Sequence, residues 1–164
     1  MNTKEWEKIP NVDMNCFGCG SENHHGLKMT FERKQEKIRS IVIVPDHLRG
    51  WSNIVHGGVL STICDEIMGW AAMHLAKRFM LTKTINTSFL KPVTIGSKLK
   101  ALGYIKERID ERNAIMAGEI YNEKGQLCTM SIGEFALFTP DNFKKLNIVP
   151  NDLISKMAGV FNRG

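Results

Sequence analysis

The sequence predicts an α+β protein in which a curved antiparallel β-sheet wraps one long, buried helix. Three observations carry that prediction. Residues 59–76 contain no proline and are apolar or small at nearly every position, which at this length reads as a helix enclosed on almost every side. Two β-rich segments precede the run and four follow it, each bounded by turn residues. The 164 residues, 43% hydrophobic and 24% charged, suffice for one domain, residues 1–164, with its core at about 24–140.

Taken in order, Leu27-Lys28-Met29-Thr30-Phe31-Glu32 alternates apolar and polar side chains, and residues 38–44 do so more loosely. The polar Arg33-Lys34-Gln35-Glu36 between them makes an antiparallel hairpin. Pro45 ends that pattern, and residues 45–55, with Gly50, Trp51 and Asn53, form a loop into the helix. Lys77 and Arg78 place positive charge where a helix C-terminus favours it. Strands are then expected at 84–90, 99–105, 114–121 and 127–138, parted by 92–97, 110–113 and Asn122-Glu123-Lys124-Gly125. Beyond Pro140 a mixed tail holds one short helix at 153–161 and no functional signal.

Asp65 and Glu66 are the only charged residues of the helical run, and a carboxylate in a buried helix is costly without a partner or a use. At about 100° per residue, Asp65 shares its stripe with Ser61, Gly69, Ala72 and Ala76, small side chains that let a backbone or a slender ligand approach. Glu66 points between Thr62, Trp70 and Met73, where an ion pair is the plainer role. The opposite arc of Leu60, Ile63, Ile67, Met68 and Leu75 is a core face, and His74 reads as a core histidine. His56-Gly57-Gly58 opens the helix, and its glycines leave the first amides uncovered to bind an anion or a developing oxyanion. Asp65 lies seven residues past Gly58, roughly 10 Å along the axis. One helix therefore does not bring its acid to its own N-terminal amides, which predicts a homodimer with composite sites.

The net charge of +5 comes from scattered Lys and Arg, which argues against nucleic acid as a partner and suits an anionic small molecule. The N-terminus, Met1-Asn2-Thr3-Lys4-Glu5-Trp6-Glu7, lacks the apolar core of a signal peptide, and no stretch approaches the roughly 18 apolar residues of a membrane span. A cytoplasmic protein without membrane contact is expected, with Cys64 and Cys128 as buried thiols. Cys16-x-x-Cys19, near His24 and His25, raises zinc or redox chemistry, but a second ligand pair is missing, so a Gly-rich turn without metal or cofactor is expected. Asp46-His47 resembles a dyad in type only, since adjacent loop residues face water.

His56-Gly57-Gly58 with Asp65 nine positions after the histidine, followed by Thr82-Lys83-Thr84-Ile85-Asn86-Thr87-Ser88-Phe89-Leu90-Lys91-Pro92, resembles the hotdog-fold acyl-CoA thioesterases, closest to their phenylacetic-acid-degradation (PaaI-like) type. Cys16-Phe17-Gly18-Cys19-Gly20, Asn23 and Gly26-Leu27 are similar to a leader in one branch of that family, so the resemblance covers roughly residues 16–138. It implies the hotdog fold and hydrolysis of an acyl-CoA to free acid and CoA, while the homodimer expected from the helix geometry stands alone or pairs again to a tetramer. Asp65 is then the base or nucleophile, with Glu66 a lesser candidate. The Gly57 amide holds the oxyanion, His56 supports the loop or touches the thioester, and Thr82 orients water. Asn53, Gly58, Ser61 and Thr84 are expected at the substrate. Some relatives carry Asn where this chain has Gly50, so the polarising role there is absent or falls to Asn53. A non-catalytic acyl-ligand binder is the alternative.

Overall fold

The computed structural model describes residues 5–162. Met1 to Lys4, the start of the segment read as lacking a signal peptide, lie outside the described residues. Strands β1 (Glu7–Ile9), β2 (Phe31–Lys34) and β3 (Lys37–Ile43) precede helix α1 (Gly57–Ala76). Strands β4 (Phe79–Phe89), β5 (Lys98–Arg108), β6 (Asn113–Tyr121) and β7 (Leu127–Phe138) follow it, then helices α2 (Pro140–Lys145) and α3 (Asn151–Phe161). All seven strands form one antiparallel sheet in the order β1-β2-β3-β5-β6-β7-β4, which is the helix-wrapped sheet that the sequence predicts.

What seats α1 in the sheet is the absence of two side chains. Gly103 of β5 and Gly118 of β6 are opposite one another in register. A Cβ on Gly103 would lie 2.3 Å from the Ile67 carbonyl oxygen, and one on Gly118 would lie 3.1 Å from that of Cys64. The helix backbone thus rests directly on the sheet. Ile63, Cys64, Ile67 and Met68 fill that contact with no exposed surface, and each large apolar side chain so buried is worth about 1.5–3 kcal/mol.

Enclosure is less complete than expected. Gly58 is exposed, and Ser61, Thr62, Asp65 and Glu66 are half-buried. The sheet covers one side of α1 and ends at β4, whose residues 81–86 are all exposed. The first hairpin also starts later than the alternation suggests. Leu27 and Met29 point inward and Lys28 and Thr30 outward, but Lys28 takes a φ of 50°, which interrupts the strand. The Leu27 and Met29 amides donate instead to the carbonyls of Phe17 and Gly18. Strand β1 escaped notice because three residues, two of them charged, carry no period. Strand β4 begins at Phe79, five positions earlier than expected.

The C-terminal segment is built into the fold by aromatic stacking. Phe31 stacks on Trp70 at 4.2 Å, Trp70 on His74 at 5.3 Å, and His74 meets the edge of Phe161 at 5.4 Å. Phe79 closes the chain of contacts by meeting both Phe161 and Phe143. His74 is therefore a core histidine, as expected. Burial, and then the charges of Arg33 and Lys77, push its imidazole down to about 4, so it stays neutral near pH 7.

That depression sets a pH dependence. Above about pH 6.5 His74 is neutral folded or unfolded, and the full stability is present. As pH falls from about 6.5 towards about 4, the unfolded chain binds a proton that the folded chain refuses, and stability drops by up to about 3 kcal/mol. Urea unfolding between pH 7 and pH 4.5 should show this slope, and His74→Gln should flatten it; an unchanged slope in the variant would contradict the assignment.

Candidate active site

Two separate concavities are lined by His56 and Gly57 and by Asp65 and Glu66, respectively. The first, a cleft of about 760 Å³, surrounds the start of α1 and is walled by Arg49, Trp51, His56, Gly57, Phe89 and Lys91 among others. His56 is the N-cap of α1, and its Nδ1 accepts the Gly58 amide at 2.9 Å. A neutral ring that accepts at Nδ1 carries its proton on Nε2, so His56 has a donor left. Among the described residues the Gly57 amide has no acceptor, the usual state of a first-turn N–H. The Gly58 amide is therefore not left uncovered, contrary to the expectation for both glycines, because His56 accepts from it.

Other expected neighbours stand elsewhere. Asn53 is exposed, its carbonyl accepts the Ile95 amide at 2.9 Å, and the cleft is walled by Ser52 and Ile54 on either side of it. At Gly50 a Cβ would come within 3.1 Å of His56 Cα, so the chain is pressed against the cap where some relatives carry Asn. Asp46 pairs with Arg49 at 3.4 Å and His47 Nε2 contacts the His25 carbonyl, so those two residues form no dyad.

Asp65 sits on the open stripe of α1 beside the edge strand. Thr82 donates its hydroxyl to Asp65 Oδ1 at 2.8 Å, across 17 residues of sequence. This is a polar contact between helix and β4, with Thr82 the fourth residue of the strand. A bulge separates Thr82 from Thr84, which pairs onward with Glu134. Ser61 lies one helical turn before Asp65 on the same half-open stripe.

The second concavity, about 190 Å³, is lined by Asp65 and Glu66 together with Cys16, Cys19, Trp70 and Met80, and closed by Phe143, Leu153 and Met157 of the C-terminal helices. Those last three went unnoticed, although Ile154, Met157, Ala158 and Phe161 have the spacing of an apolar helix face. Glu66 turns from Asp65 into the N-terminal leader, where Cys16 Sγ lies 3.5 Å from its Oε1. Burial, then the Cys16 charge, raises the Glu66 carboxyl to about 8. The Cys19 thiol, donating to Cys16, draws the latter down to about 6 and is itself pushed up. No ion pair joins Glu66 to a cation among the described residues, contrary to the plainer expectation.

Within one chain, then, the fold brings Thr82 to Asp65 and His56 to Gly58, while Asp65 lines the second concavity and His56 and Gly57 line the first. The long helix packed on an antiparallel sheet, with a histidine-capped entrance and an acid on its open stripe, defines a hotdog-fold protein. The sequence profile of the Thioesterase superfamily matches residues 52–129. The chain is similar to that superfamily over those residues and has the fold of its PaaI-like members.

Among solved structures, a thioesterase superfamily protein shares 24% identity at a TM-score of 0.70, over 75% of this chain and 60% of that one. This chain thus spans less than two thirds of that relative's length. The E. coli PaaI protein from the phenylacetic acid degradation operon shares 16% identity at a TM-score of 0.63, over 69% of this chain and 81% of that one. A hypothetical thioesterase from Streptococcus pneumoniae TIGR4, solved with coenzyme A, shares 19% identity at a TM-score of 0.61, over 66% of this chain and 84% of that one. The S. pneumoniae protein has also been solved with an aspartate, and separately a threonine, replaced by alanine. No curated protein sequence matches the chain.

The cap makes its own prediction. His56→Ala should lower stability by about 1 kcal/mol, the usual worth of an N-cap side chain, read as a shift in the urea midpoint at constant slope. A midpoint equal to wild type would mean that the Gly58 hydrogen bond does not hold the helix entrance.

Proposed function

We propose that the protein hydrolyses an acyl-CoA thioester at a site shared between two copies of the chain, with Asp65 as base or nucleophile. The observation that carries this reading is the Thr82–Asp65 hydrogen bond on the unsheltered face of α1. Thr82 donates its hydroxyl hydrogen bond to the carboxylate, and its oxygen keeps lone pairs that can accept from a water. A water held there stands beside a group able to take its proton as it attacks the thioester carbon. The C–S bond then breaks, and the proton on Asp65 passes to the departing thiolate. Direct attack by Asp65 would give an anhydride that water opens in a second step, using the same residues. Either route puts negative charge on the carbonyl oxygen, and the Gly57 amide at the positive end of α1 suits it.

The cleft around Gly57 also has the chemistry of a CoA site. Arg49 and Lys91 border it with positive charge, and Trp51, 85% exposed, offers an aromatic face to a base. The coenzyme A bound to the S. pneumoniae relative, and the aspartate and threonine chosen for replacement there, favour the same reading.

Because cleft and carboxylate are apart within one chain, a partner must supply one of them. Strand β4 is the natural seam: it is an edge strand of 11 residues, and Leu81, Ile85 and Phe89 are exposed along it. An unpaired apolar edge of that length needs a partner to cover it. Pairing β4 with a second β4 would set the Asp65 stripe of one chain beside the Gly57 cleft of the other, in a dimer or a tetramer built from dimers.

Two measurements test the reading. Asp65→Asn should lower the release of free CoA thiol from an acyl-CoA panel by at least about a hundredfold, while KM changes little. A near-wild-type rate would remove Asp65 from the chemistry; a wild-type protein that binds acyl-CoA and releases no thiol would establish the binding-protein alternative. Ile85→Lys should give a monomer by light scattering, and an unchanged dimer would place the interface elsewhere.

A further inference from the structure

We propose that Cys16, Cys19 and Glu66 form a zinc site that fastens the N-terminal leader to helix α1. The Cys-x-x-Cys spacing alone is half a site, and its adjacent histidines do not complete it: His25 is exposed, with its amide on Asn23 Oδ1. The fold supplies a third ligand from 47 positions further along the sequence. The donor atoms of Cys16, Cys19 and Glu66 all lie within 4.8 Å of one another. Zinc–sulfur and zinc–oxygen bonds of about 2.3 and 2.1 Å at a tetrahedral angle put sulfur and oxygen about 3.6 Å apart. Cys16 Sγ and Glu66 Oε1 are 3.5 Å apart, already the length of one edge of such a tetrahedron.

The surroundings are those of a formed site rather than a chance meeting. The turn that carries both thiols is held by Gly20 N–H on the Cys16 carbonyl at 2.8 Å and by Asn11 Nδ2 on the Cys19 carbonyl at 2.8 Å. Gly18 sits directly on Glu66, and a Cβ there would come within 2.1 Å of its Cγ. Three acidic groups therefore meet at one point with no cation paired to Glu66 among the described residues. Two thiolates and a carboxylate are a donor set for zinc rather than for magnesium or calcium.

The role follows from the leader. Residues 10–30 contain no helix or strand, and a segment of that length without secondary structure needs a tether to stay ordered. Zinc bound by two leader residues and one α1 residue would be that tether. Three protein ligands leave a fourth position, and it opens on the cavity of about 190 Å³ that Asp65 also lines, where water completes the coordination. The site stands or falls independently of the thioesterase reading.

The test uses the full-length chain, purified under reducing conditions. Mass spectrometry should find one zinc per chain, and cobalt(II) in its place should give the sulfur-to-cobalt charge-transfer absorption of two thiolates with tetrahedral d–d bands. Cys16→Ser with Cys19→Ser should lower zinc affinity at least about a hundredfold, at or beyond the upper end of what losing an outer hydrogen-bond partner costs. Glu66→Gln should keep the charge-transfer band, change the d–d bands and weaken binding, and it carries the test if the double variant does not fold. Reduced protein that takes up no cobalt or zinc at equimolar metal would overturn the proposal. So would metal bound without charge transfer, or affinity unchanged in either variant.

Discussion

The close approach of the α1 backbone to bare glycine on two paired strands is the constraint on which the rest depends. With Gly103 and Gly118 under the Ile67 and Cys64 carbonyls, the helix backbone sits closer to the sheet than a side chain at either position would permit. That seating buries Ile63, Cys64, Ile67 and Met68 together and leaves Ser61 and Asp65 on the unsheltered stripe next to β4. A side chain at Gly103 would have to displace backbone rather than a flexible tip, and the contact between Thr82 and Asp65 would shift with it. The position of the candidate acid is thus a consequence of packing on the far side of its helix.

Consecutive residues on a helix diverge by about 100°, and this chain uses that divergence to give Asp65 and Glu66 different surroundings. Asp65 meets a threonine hydroxyl on an open face. Glu66 meets two thiols under a glycine turn and is pushed towards its neutral form by burial. The same two acids also join the termini of the chain, since the cavity between them is closed by the N-terminal leader on one side and by α2 and α3 on the other.

Elements with strong periodicity were legible in the sequence. The α1 run was placed to within two residues at its start, and β7 agrees with its expected bounds of 127–138. His74 could be assigned to the core from its arc alone. Contacts across long separations were not legible. Nothing at Cys16 or Glu66 announces the other across 50 positions, and a hydroxyl at Thr82 gives no sign that a carboxylate 17 residues earlier will accept its hydrogen bond. The Gly58 amide was read as free because N-cap geometry is a property of the folded turn, where His56 bends back to accept it. The C-terminal segment was legible only as one short helix, and its place beside Asp65 depends on Phe79, Phe143 and Phe161 meeting in space.

The central claim is that the carboxylate and the oxyanion amide of one site come from different chains, and subunit complementation tests it most directly. Gly57 is the first residue of α1, where proline is well tolerated and removes the N–H. His56 before it is already extended, at φ −60° and ψ 134°, and an added Cβ would meet the Phe89 ring at an ordinary 3.4 Å. Gly57→Pro and Asp65→Asn should each be inactive as homodimers. Refolded together at equal amounts, half the dimers are mixed and each mixed dimer has one intact site, so about a quarter of wild-type acyl-CoA hydrolysis should return. A mixture no more active than its parents would contradict the shared site and place both groups within one chain.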